Sequence, residues 1–186
     1  MFRKKLWVLL VIVLCLSGCA KTKQPTQKAL DFRAGLMNAG SCSFLADIVA
    51  DYGERTYAFT VEAEHSPQET KLTVVSPEEI SGISAIVSEN GAQIVFDGLE
   101  LDFGELANGY VSPVSVPWLL GQCWVGEYIS CAGADGEYEK VTYLRGYNDA
   151  ELTVDTWFTK ENIPVYAEII YDGRRCLTVQ IRDFQM

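Results

Sequence analysis

Apolar and polar positions alternate over most of the chain. Phe44, Ala46, Ile48, Ala50 and Tyr52 alternate with Ser43, Asp47 and Asp51, the period-two pattern of a half-buried strand. Gly53-Glu54 turns the chain, and Tyr57, Phe59, Val61 and Ala63 then share a face opposite Thr60, Glu62 and Glu64. His65-Ser66-Pro67-Gln68 reads as a second turn, placing Leu72 and Val74 on a third strand. Ser84 to Ser88 and Gln93 to Phe96 flank Asn90-Gly91, a strong hairpin signal. Asp97-Gly98 leads to Leu99, Leu101 and Phe103, whose alternation with Glu100 and Asp102 makes those acids the wet face of a strand. Five further strands are expected at 124–131, 140–147, 151–158, 165–171 and 175–184. Turn chemistry separates them at Gly133 to Gly136, Asn148-Asp149, Lys160 to Pro164 and Asp172-Gly173. Connections this short imply antiparallel neighbours.

Helical spacing is confined to three places. Ala29, Leu30, Phe32, Leu36 and Met37, with the aliphatic stem of Arg33, return at intervals of three and four between Thr26 and Asn38, and Gly40 supplies the stop. Pro77-Glu-Glu-Ile-Ser-Gly-Ile83 reads as one or two turns, with proline early and acids in the first turn. Ser112 to Gln122 breaks the strand pattern with prolines and then presents Trp118, Leu119 and Leu120, an apolar face suited to a lid. The fold class expected is α+β: a strongly curved antiparallel sheet, an unclosed barrel, with short helices over its concave face. Three short helices leave room for an apolar cavity under the lid. Phe44, Tyr57, Phe59, Val61, Leu72, Val74, Ile94 and Phe96 are its candidate lining if the helices stand off the sheet, and ordinary core if they do not.

The start of the chain changes this picture. Arg3, Lys4 and Lys5 precede an uncharged apolar run from Leu6 to Leu16, which ends in Ser17-Gly18-Cys19. That is signal-peptide order, and the run falls short of the roughly 20 residues a membrane-spanning helix needs. Leu16-Ser-Gly-Cys19 resembles the bacterial lipobox, which implies that residues 1–18 are removed and Cys19 carries a diacylglyceryl group. Residues 19–28, with Lys21, Lys23, Pro25 and Lys28, then read as a lipidated tether, and residues 29–186 as one domain. Stable anchoring takes two or more acyl chains. Because Ala20 and not aspartate follows Cys19, the destination expected is the outer membrane of a two-membrane bacterium, or the outer face of the cell membrane where there is only one.

Removing the first 18 residues leaves 12 basic against 25 acidic side chains, a formal charge of −13. Such a surface excludes nucleic acid as a partner and argues against broad docking on anionic membranes. Cys42, Cys123, Cys131 and Cys176 remain as thiols in an exported chain. Disulfides are one reading, with Cys123 to Cys131 closing the shortest loop, and free buried thiols are the other. With no Cys-x-x-Cys and a single histidine, His65, a metal site is not expected. Neither a Gly-x-Ser-x-Gly elbow nor a phosphate-cradling glycine loop is present, and Asp135-Gly-Glu137 is too sparse for calcium. The chain is therefore expected to bind rather than catalyse, without a cofactor.

The order of elements resembles the LolA/LolB superfamily of lipoprotein carriers and its LppX-like and GerS-like lipoprotein relatives. The residues that carry the resemblance begin with the leading helix into Cys42-Ser-Phe-Leu-Ala-Asp, the Val75 to Ile83 segment and Phe96-Asp-Gly-Leu. They end with Ile163-Pro-Val-Tyr-Ala-Glu-Ile-Ile-Tyr-Asp-Gly173 and Val179-Gln-Ile-Arg-Asp-Phe184. The resemblance implies helices as a lid over a cavity that holds acyl chains, and so a membrane-anchored protein binding lipid or lipoprotein acyl chains. The alternative it implies is a scaffold for a protein partner at the cell surface or in spore germination, without lipid transport. The carriers lock their lid with an arginine on an early strand. Here Arg55 lies in a turn and Arg33 on the leading helix, so neither takes that place.

Overall fold

A computed structural model describes residues 24–96, 99–103, 106–107, 110–146 and 151–186. The segment read as an export signal, Cys19 and the first residues of the tether lie outside these, as do the Asp97-Gly98 and Asn148-Asp149 turns. Helix α1 spans Pro25–Ala39, so it begins inside the segment read as tether. Proline at its start costs no hydrogen bond, because that N–H has no partner within a helix anyway. Gly40 ends α1 in the left-handed region at φ 77°, its N–H donating to the carbonyl of Leu36. Ala29, Phe32 and Leu36 form the buried stripe.

Thirteen strands follow among the described residues. β1 (Cys42–Asp51), β2 (Thr56–His65), β3 (Glu69–Ser76), β4 (Ser84–Ser88), β5 (Gly91–Phe96) and β6 (Leu99–Phe103) form a meander, with a 3-10 turn at Glu78–Ile80 between β3 and β4. β7 (Leu106–Ala107) and β8 (Tyr110–Val111) make a small separate hairpin that the sequence pattern does not indicate. A 3-10 turn at Pro113–Ser115 leads into helix α2 (Val116–Val125). A second meander follows: β9 (Tyr128–Asp135), β10 (Tyr138–Arg145), β11 (Leu152–Phe158), β12 (Pro164–Tyr171) and β13 (Arg174–Gln185). β1 pairs with β13, joining the two meanders into one eleven-stranded antiparallel sheet in the order 6-5-4-3-2-1-13-12-11-10-9. The sheet is curved and open, with β6 and β9 at its edges.

Several expectations shift by a residue or more. The β4–β5 hairpin turns on Glu89-Asn90, with Gly91 at φ 121° already paired to Ser88. The β12–β13 turn is as expected: Asp172 at φ 49° and Gly173 at φ 68° both take the left-handed values that a primed two-residue turn demands. α2 runs on through Trp124 and Val125, so the strand expected from 124 starts only at Tyr128. His65 is not in a turn: it is the last residue of β2, 2% exposed, and the turn follows it.

Cys123 and Cys131 are not joined by a disulfide, which corrects the simplest pairing. Cys123 is buried on the inner surface of α2, whereas Cys131 lies exposed on edge strand β9. Cys42 and Cys176 are buried on β1 and β13, and burial pushes the Cys42 thiol up to about 12. No helix among the described residues is long and apolar enough to cross a membrane.

Candidate functional site

The concave face of the sheet is occupied by α2. Eight of its ten residues are buried, and Trp118, Leu119, Leu120 and Trp124 have no exposed surface. The lid candidates are thus packed onto the sheet, against β2, β3 and β10. Of the candidate lining residues, Phe44, Val61, Leu72 and Val74 are buried in that core. Phe59 and Ile94 are half-buried beside it, and Tyr57 is exposed on β2. The side chain of Phe96 lies outside the described residues. The structure therefore gathers most of the predicted residues into one place, but as packing partners of α2.

Aromatic rings hold the two helices to the sheet. Trp124 lies edge-on to Phe32 of α1, with centroids 5.9 Å apart, and meets Phe44 of β1 at 5.6 Å and Phe184 of β13 at 5.8 Å. Such pairs contribute about 0.5–1.5 kcal/mol each beyond their burial. The indole N–H of Trp124 donates to Thr156 Oγ1 at 3.2 Å on β11. Arg33 of α1 donates to three backbone carbonyls at the end of α2: Cys123 at 3.1 Å, Trp124 at 3.0 Å and Glu127 at 2.6 Å. A cation on the last carbonyls satisfies groups with no partner in the helix and complements its dipole. Arg33 therefore ties the covering helices together, from a helix and not from a strand. Nothing in its helical spacing signals that role.

At the end of the sheet, Cys42, His65 and Thr70 face one another across β1, β2 and β3. His65 Nδ1 lies 2.7 Å from Thr70 Oγ1, and burial pushes the imidazole down to about 4, so it is neutral at pH 7. The ring lies directly against Gly121 of α2, where a Cβ would overlap it.

Among the described residues, open space lies beside α1. A groove of about 800 Å³ runs between α1, the chain after α2, and strands β9 and β10. Leu30, Tyr128, Ile129 and Leu144 give it apolar walls, and the charged residues Arg33, Glu127 and Glu151 also line it. Arg33 is engaged with the α2 carbonyls and Glu127 with Arg145 at 2.9 Å, while Glu151 is exposed to solvent. Leu30 is 44% and Tyr128 69% exposed, an unusual amount of free apolar surface for large side chains that share a groove. None of the four wall residues is among the candidates read from sequence. Leu30 has a signal, since it is apolar yet stands off the Ala29–Phe32–Leu36 stripe.

No protein-family model and no curated protein matches the chain. Solved structures of similar fold include an uncharacterized conserved protein from Thermus thermophilus, 10% identical over 87% of each chain with a TM-score of 0.47. Another is a LolA superfamily protein from Nitrosomonas europaea, 9% identical over 89% of this chain and 94% of that one, TM-score 0.45. The lipoprotein LppX of Mycobacterium tuberculosis is 11% identical over 86% and 92%, TM-score 0.43. These likenesses are of fold, and what this chain binds is argued from its own residues.

Proposed function

We propose that this chain is an extracytoplasmic lipoprotein, anchored through lipid on Cys19, that takes an acyl chain of a lipid or of another lipoprotein into the groove between α1 and strands β9 and β10. The observation that carries this reading is the groove: about 800 Å³, with apolar walls at Leu30, Tyr128, Ile129 and Leu144, Arg33 and Glu127 engaged by the fold and Glu151 exposed to solvent. A pocket of this size and lining suits a hydrocarbon ligand, and each methylene moved from water into it contributes roughly 0.8 kcal/mol. The groove also lies at the right end of the molecule. Gln24 is five residues from Cys19, at most about 17 Å of extended chain, so an anchor at Cys19 keeps the groove beside the bilayer. The role is binding, and no cofactor enters it.

Native mass spectrometry of the full chain, extracted in mild detergent, is expected to show a co-purifying lipid that Leu144→Glu abolishes while the far-ultraviolet dichroism is unchanged. Lipid-free wild-type protein, or a variant that keeps the lipid, overturns the proposal. The anchor is tested separately: Cys19→Ser should stop incorporation of labelled palmitate and release the chain from the membrane fraction.

A second reading, the protein-interaction scaffold, is favoured by β9. This edge strand exposes an unpaired row of backbone groups, and Tyr128 to Ala134 carry neither charge nor proline to blunt it. A partner strand could add there. Ala132→Pro would then abolish a partner's binding and leave acyl-chain binding intact.

A further inference from the structure

The groove beside α1 begins where the described chain begins. Thr26, Leu30 and Arg33 line it at spacings of four and three, so it runs along one side of α1 from the first turn. That turn is pinned to the sheet: Lys28 pairs with Glu139 of β10 at 2.5 Å, and Asn162 Nδ2 donates to the Lys28 carbonyl at 3.0 Å. Residues 19–23 lie outside the described residues, but the point where they join the fold is thereby fixed beside the groove. Leu36, Met37 and Gly40, at the opposite end of α1, line a separate small opening. Within the groove Leu30 and Tyr128 leave apolar surface bare, which an occupant would cover.

We infer that the groove has a resident ligand built into the chain: between cargoes, an acyl chain carried by Cys19 itself folds back along α1 and fills it. This rests on the acyl-binding and anchor readings above. Five residues separate Cys19 from Gln24, at most about 17 Å of extended chain, so the lipid reaches the groove with no change in the fold. A tether this short holds its end at an effective concentration on the order of millimolar, however dilute the protein. Charge favours the same occupant. Glu151 is exposed at the groove and residues 19–186 are acidic in balance, which disfavours a phospholipid with an anionic head. A thioether-linked glyceryl group carries no charge to repel. Cargo binding is then an exchange. The incoming chain displaces the resident one, and its apparent affinity is lowered by the fraction of grooves that the resident holds. When cargo leaves, the resident chain covers Leu30 and Tyr128 again and opposes its return.

The full chain is expressed in cells fed a diazirine-bearing palmitate, purified with its lipid and placed in phosphatidylcholine nanodiscs. Irradiation is expected to cross-link the Cys19 peptide to peptides carrying Leu30, Tyr128 or Leu144 of the same chain. A mixture of 15N-labelled and unlabelled chains should give no mixed products. Titration with a dipalmitoylglyceryl-cysteine lipopeptide should suppress the cross-links saturably. Leu30→Glu, at an exposed position, should reduce them about tenfold or more, while Met37→Glu at the other end of α1 leaves them unchanged. Cross-links confined to bilayer lipid, lying outside the groove, joining different chains, or insensitive to the lipopeptide or to Leu30→Glu overturn the inference. So does a Cys19 peptide that carries no lipid. Where the cross-links are absent but the lipopeptide still binds and Leu144→Glu blocks it, the resident chain alone is disproved and the acyl-binding groove stands. Where the lipopeptide does not bind either, both fall.

Discussion

His65 and Gly121 form the tightest approach between α2 and the sheet, and it depends on the absence of a side chain at 121. Gly121→Ala forces a methyl into the imidazole ring and should cost about 1–3 kcal/mol by overpacking, measured by urea denaturation. Gly133→Ala on β9 is the control, since nothing lies within 4 Å of its Cβ position. The same histidine makes stability depend on pH in a defined direction. Its folded value, about 4, lies below the ordinary 6.5, so the unfolded chain takes up the proton more readily. The stability tied to His65 is therefore complete above pH 6.5 and is lost as pH falls from 6.5 towards 4. The proton's preference for the unfolded chain makes that loss roughly 3 kcal/mol. Asp47, lowered by its hydrogen bond to Arg182, loses its contribution only below about its ordinary 3.8. The two windows thus separate, and His65→Gln should flatten the curve between pH 6.5 and 4 while leaving the acid limb.

At the scale of elements, the alternation along β1, β2 and β3 and the Asp172-Gly173 turn are legible because each is local: period-two hydrophobicity and a turn that needs two positive φ values. What covers the concave face is not local, and alternation is silent on it. The signal lies in side-chain volume. Ala46, Ala50, Ala63, Ala85 and Ala92 are small, buried positions on that face, and they leave room for α2 with its Trp118 and Trp124. The end of α2 is ambiguous in sequence because Trp124 and Val125 suit a strand as well as a helix, and only the packing of Trp124 against Phe32 and Phe44 decides it. This packing separates the candidate residues by energy. Trp118→Ala, emptying a fully buried site, should cost about 3–5 kcal/mol. Tyr57→Ala, at a position 42% exposed, should stay within about 1 kcal/mol. Equilibrium denaturation of both variants distinguishes a filled core from a lid that stands away.

Across the whole molecule, thiol accessibility reports the packing in one experiment. Cys131 is exposed, while Cys42, Cys123 and Cys176 are buried. Labelling of the native protein with a water-soluble maleimide should modify one of these four positions quickly and the other three only on unfolding. Peptide mapping identifies the site, and a native protein in which Cys131 resists labelling would contradict the arrangement of β9. The same map reads the anchor, since a lipidated Cys19 has no thiol to label.

The pairing of β1 with β13 has a consequence in time. Strands β1 to β6 are complete by Phe103, yet the inner side of β1 pairs only with Arg174–Gln185. A chain synthesised from its N-terminus therefore presents β1 as a long bare edge, with Ile48 and Ala50 lacking their partners, until its last strand arrives. Its most exposed moment is the interval between synthesis of α2 and synthesis of β13. Any chaperone that serves this protein has that interval in which to act, and truncation within β13 should yield aggregation rather than a weakened but folded product.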